Sequence, residues 1–130
     1  MTTSPPAAAA VHVVVNRALR DGGTPCCEVC GDPVHGERGV TWALHHRKGR
    51  TGPSTDNSPA NLLLVHGASN VDECHGQIHA HRGSSQDNGW MVSRNGILQP
   101  AEVAVLVDNG SRYVYLTVDG QYSEVPGVAA

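Results

Sequence analysis

Six of the eight histidines fall between Trp42 and Arg82. They are the contiguous pair His45-His46, then His66, the spaced pair His75 and His79, and His81. Imidazole is the commonest metal-binding side chain and titrates near neutral pH, so this density points to metal chemistry rather than to packing. His75 and His79 are four apart, and on a helix both rings lie on one face, able to share an ion. His45, delivered by a strand, can supply a third nitrogen. Three neutral nitrogens leave positions open for water and a phosphate oxygen, as a catalytic metal site requires. In an extended chain His46 points away from its neighbour and suits a different task. With an ordinary pKa of about 6.5 it can take a proton from water at neutral pH. Asn61 offers a side-chain carbonyl that could fix the tautomer and orientation of His46.

This set suits phosphodiester hydrolysis. His46 would deprotonate a water for in-line attack, and a cation held by His45, His75 and His79 would steady the charge growing on the phosphate and the leaving oxygen. Arg47, Lys48 and Arg50 form a local basic strip that could hold flanking phosphates. The net charge of −3 argues against indiscriminate coating of DNA, which depends on many phosphate-neutralising cations, but not against such a strip. Four cysteines complete the chemistry. Cys27 and Cys30 have the two-residue spacing that lets two thiolates meet one tetrahedral ion, and Gly31 follows where positive φ is often needed. Cys26 is the weaker candidate, expected to be spare.

Cys27-x2-Cys30, His45-His46, Asn61 and Cys74-His75 with His79 together resemble the HNH endonucleases, most closely small phage HNH proteins with zinc knuckles. The His45-His46, Asn61 and His75-x3-His79 part is also similar to the colicin nuclease domains. The resemblance spans residues 20 to 92. It implies a ββα-metal core, with His45, His75 and His79 as ligands of the catalytic ion, His46 as general base and Asn61 as its orienter. It implies DNA nicking or cutting, with Mg²⁺, Mn²⁺, Ni²⁺ or Zn²⁺ as activator, and for phage members work beside the DNA-packaging terminase. Where the family carries a second close cysteine pair, this chain has only Cys74. His66 stands where a cysteine is expected, so the structural zinc would be held by Cys27, Cys30, His66 and Cys74. The alternative is that His66 is a surface histidine, with Cys26 or water completing the site.

The elements that must position these groups are an α+β set: a ββα-metal core stapled by zinc, with a β-rich C-terminal extension. Residues 1–10, Pro- and Ala-rich, read as disordered, and 11–82 as the nuclease core. Val11 to Arg20 is expected to be a helix that stops before Asp21-Gly22-Gly23. Val40 to Leu44 and Ala60 to Val65 read as strands separated by a loop rich in Gly, Pro, Ser, Thr, Asp and Asn. Glu73 to Arg82 reads as a helix weakened by Gly76. Residues 83–89 read as a flexible connector, and 90–130 as hairpins turning at Asn95-Gly96 and Asp119-Gly120. Trp42 and Trp90 are expected in the core, and His12, His35 and His81 without a role.

Apolar residues are 39% of the chain and aromatics 4%, with no Phe, so the core is modest and a metal staple is useful. The N-terminal residues lack the basic and apolar regions of a signal peptide, and no apolar run reaches membrane-spanning length. A cytoplasmic protein with reduced thiols is therefore expected. The competing reading is a zinc-stapled nucleic-acid- or protein-binding module without catalysis. A nucleobase deaminase is discarded because its Pro-Cys-x-x-Cys signature is missing: Pro25-Cys26 is followed by Val29 where the second cysteine is needed.

Overall fold

The computed structural model describes residues 6–49, 55–69 and 71–126, and the protein is α+β. Helix α1 spans Ala8–Arg17. The alanines expected to be disordered form its first turn, because Ala is the best helix former. Its valines, poor helix formers alone, are retained because Val14 is fully buried. The helix stops earlier than expected. Leu19–Arg20 (β1) and Thr24–Pro25 (β2) pair antiparallel around Asp21-Gly22-Gly23. Gly22 and Gly23 take φ of 83° and 97° there, the left-handed region that favours glycine.

Strands β3 (Trp42–His46) and β4 (Leu62–His66) form an antiparallel pair in which His45 lies opposite Leu63 and His46 opposite Leu62. Leu62 to Val65 are all fully buried. A 3-10 turn, Pro59–Asn61, leads into β4. Helices α2 (Glu73–Ala80) and α3 (Arg82–Asp87) follow. Gly76 is a packing requirement here, since a Cβ at that position would lie 2.5 Å from the Val71 carbonyl carbon. The segment expected to be a flexible connector is thus mostly α3. Ser85, fully buried, donates its hydroxyl to Ile78 O at 2.7 Å, while its own carbonyl accepts from Trp90 N at 2.8 Å.

The C-terminal region is an antiparallel meander of β5 (Val105–Val107), β6 (Arg112–Leu116) and β7 (Tyr122–Glu124). The turn at Asp119-Gly120 is where the sequence placed it. The expected hairpin at Asn95-Gly96 does not form. Val92 instead donates its amide to Arg47 O at 2.9 Å, so this segment pairs with the exit of β3 rather than with itself. Val105, Val107, Val114 and Leu116 share one apolar core with Val14, Leu62 to Val65 and Ile78, with Trp42 and Trp90 packed against it. Among the described residues no helix is long and apolar enough to cross a membrane.

Among the described residues, strand β4 has a strand neighbour on one edge only, yet it is buried, so the backbone groups on its other edge need partners. Glu28 and Arg17 provide them. Leu64 N donates to Glu28 Oε1 at 2.9 Å, Leu64 O accepts from Glu28 N at 2.8 Å, and Leu62 O accepts from Arg17 Nη2 at 2.6 Å. Arg17 Nε donates to Glu28 Oε2 at 2.8 Å, with side-chain exposures of 2% and 0%, and Tyr122 OH donates to the same oxygen at 2.6 Å. Removing one partner of a buried ion pair strands the other. Glu28→Ala should therefore destabilise the protein by about 3–5 kcal/mol in urea unfolding; an unchanged midpoint would mean that the network is not structural.

Candidate metal centres

Cys27, Cys30, His66 and Cys74 meet at one point, with their ligand atoms within 4.8 Å of one another. Cys27 and Cys30 come from a tight turn closed by Gly31 N donating to Cys27 O at 2.8 Å, with Gly31 at φ 83° as expected. His66 ends β4, and Cys74 is the second residue of α2. Cys30 Sγ lies 3.2 Å and Cys74 Sγ 3.8 Å from His66 Nδ1. His66 Nε2–H donates to Pro33 O at 2.9 Å, which leaves the Nδ1 lone pair facing the thiols, the outer hydrogen bond typical of a metal-bound histidine. A hydrogen bond with Cys74 pulls the Cys27 thiol down to about 5 against its burial, while the same bond pushes Cys74 up. Three sulfurs and one imidazole could bind a metal ion such as zinc. Cys26 stands outside this group: it is buried, and its thiol donates to Thr24 O at 3.5 Å.

The second cluster joins His45 of β3 to His75 and His79 of α2. Their three ring centroids are each 5.2 Å from the other two. His45 Nε2–H donates to Trp90 O at 2.8 Å and His75 Nδ1–H to Gly67 O at 3.3 Å. These bonds leave Nδ1 of His45 and Nε2 of His75 as the lone-pair nitrogens. Nε2 of His79 is buried and has no hydrogen-bond partner among the described residues. Burial, with His75 and His79 alongside, pushes His45 down to about 3, and burial with Arg82 nearby lowers His79. Neutral rings facing one another with an unsatisfied buried nitrogen form a costly arrangement. A divalent cation among them fits the donor set.

His46 lines the same open cleft, of about 690 Å³, as His45, His75 and His79. It donates Nε2–H to Asn57 Oδ1 at 2.8 Å, which makes Nδ1 the basic nitrogen. Asn57 was not singled out by the sequence, because its Asp-Asn-Ser setting reads only as loop. Asn61 acts differently from expectation. It is fully buried, accepts from Lys48 N at 2.7 Å, and donates to Lys48 O at 3.1 Å and Asp56 O at 2.8 Å. It clamps both ends of the loop that carries Asn57.

The basic strip is also redrawn. Arg47 is 1% exposed and donates to the carbonyls of Ala60, Gly89, Pro100 and Val103 at 2.7–2.9 Å. Burial and the nearby Arg17 lower it to about 10, so it stays charged at neutral pH. It is a structural tie between four backbone carbonyls. Lys48 is half-buried, its backbone bridged to Val92. Arg50 lies outside the described residues. His81 is exposed at the end of α2.

Compared with known proteins, the chain matches no family model, no curated protein and no solved structure.

The low pKa of His45 has a pH consequence. Between its ordinary value of 6.5 and about 3, the unfolded chain takes up a proton that the folded chain refuses. Stability from this residue is therefore complete above 6.5 and declines as pH falls toward 3. Urea midpoints measured across that window should fall, and His45→Gln should lose that share of the slope. Identical slopes in the two proteins would contradict the burial of a neutral His45.

Proposed function

We propose that this protein is a metal-dependent DNA endonuclease of the HNH type, built on a ββα-metal core formed by β3, β4 and α2. The observation that carries this reading is the convergence of His45 from β3 with His75 and His79 from α2, beside a fourth imidazole, His46, that a different partner holds. The Cys27, Cys30, His66 and Cys74 cluster is read as the structural zinc site, for which three thiolates and one imidazole are a regular donor set. Mg²⁺, Mn²⁺, Ni²⁺ or Zn²⁺ at the histidine site would supply Lewis-acid stabilisation of the phosphate.

The chain's own groups do the rest. His46 Nδ1 accepts a proton from the attacking water, whose oxygen forms the new bond to phosphorus as the bond to the 3′ oxygen breaks. Asn57 Oδ1, bonded to Nε2–H, holds the ring in the needed tautomer and favours the imidazolium that results. Asn61 keeps Asn57 in place through the loop ends. Arg47 leaves the DNA-binding role that its position in the sequence suggested. A zinc-stapled binding module without catalysis needs only the cysteine cluster, and it gives the histidine triad and the His46–Asn57 pair no task.

Supercoiled plasmid incubated with Mg²⁺, Mn²⁺ or Ni²⁺ tests the proposal. The wild type should convert it to relaxed or linear forms, and His46→Ala should be slower by about a hundredfold, as for loss of a general base. Equal rates would remove His46 from the mechanism, and no conversion with any of these ions would end the nuclease reading.

A further inference from the structure

A second cleft, of about 400 Å³, adjoins the histidine cleft, and the two share His46, Gly49 and His79. It is lined in addition by Arg82, at the start of α3, and by Arg94, from the segment after it. Both arginines are exposed. Val92 N, bonded to Arg47 O at 2.9 Å, anchors the second segment beside β3, and a turn closed by Gly96 N donating to Ser93 O at 3.2 Å carries Arg94. The Arg94 side chain lies across Gly49: a Cβ there would stand 3.5 Å from Arg94 Cδ.

Charge sets this surface apart. The chain has 12 acidic residues against nine Lys and Arg, yet among the described residues no Asp or Glu lines either joined cleft. The neighbouring cleft above His66, by contrast, is lined by Asp72 and Glu73. A groove whose described lining holds two exposed guanidinium groups beside His46 and His79, and no carboxylate, suits a polyanion, because each guanidinium can grip a phosphate with two parallel hydrogen bonds.

We propose that Arg82 and Arg94 hold the nucleic-acid backbone phosphates next to the one presented to the histidine cleft, so that the 90–96 segment is the substrate-positioning arm of the site. This rests on the nuclease reading for the direction of the backbone, but its test does not need cleavage. The full chain, with no added divalent ion, is titrated into a short fluorescein-labelled DNA duplex at several salt concentrations, and anisotropy is read. Arg82→Gln/Arg94→Gln should weaken binding at least tenfold at low salt and flatten the salt dependence by about two phosphate contacts, each worth roughly 0.9 in logarithmic slope. Arg82→Lys/Arg94→Lys, which keeps the charge, should recover most of the slope. Arg38→Gln, a change at an exposed site lining neither cleft, should do little. Melting curves show whether each variant is folded.

An unchanged slope in the double Gln variant overturns the proposal. So does an equal loss in Arg38→Gln, or a wild type that does not bind the duplex. Binding through these arginines by a protein that nicks no plasmid would refute the nuclease reading and leave the arm standing.

Discussion

A carboxylate with no exposure to water sits where α1, the cysteine turn, β4 and β7 meet. Glu28 takes hydrogen bonds from the guanidinium of Arg17, the hydroxyl of Tyr122 and the amide of Leu64, and its own amide bonds back to Leu64. A buried charge tolerates few arrangements, because each unmet oxygen carries the cost of lost hydration. The network therefore fixes the open edge of β4, and the other edge of β4 sets the register of β3. Since β3 ends in His45-His46, the position of the chemistry follows from a polar contact on the far side of the strand pair.

The two candidate metal centres share their supports. His66 closes β4 and Cys74 opens α2 in one cluster. Their immediate neighbours serve the other, where Gly67 O accepts from His75. An ion in the Cys/His cluster would fix the spacing between strand end and helix start. That same spacing sets how far His75 and His79 stand from His45. The turn between them is tight: Gly67, at φ 96°, has no room for a Cβ against Asp72 O, and Gly76 has none against Val71. The glycine that looked like a weakness in the helix is what lets the helix approach.

What was legible in the sequence was local. The four-residue spacing of His75 and His79, the strand-end placement of His45, the turn at Gly31 and the Asp119-Gly120 hairpin follow from backbone periodicity and residue type. His66 was legible as the fourth member of the cysteine cluster through the family resemblance. What was not legible depends on tertiary partners. Arg47 sits in a run of basic residues, but its guanidinium turns inward and donates to the carbonyls of Ala60, Gly89, Pro100 and Val103. Residues 83–89 have the composition of a linker and become helical through Ser85. Asn57 is one polar loop residue among many until the loop closes and brings it to His46. Asn61 carries the expected residue type at the expected place, yet its bonds go to the backbone of the loop.

The central claim is that His45, His75 and His79 bind one cation between them, and crystals grown with Ni²⁺ and measured for anomalous scattering at its absorption edge address it most directly. The account predicts a single peak about 2.0–2.2 Å from His45 Nδ1, His75 Nε2 and a nitrogen of His79, by analogy with known metal–imidazole distances. Anomalous density bound elsewhere, with these three rings turned away from one another, would contradict it.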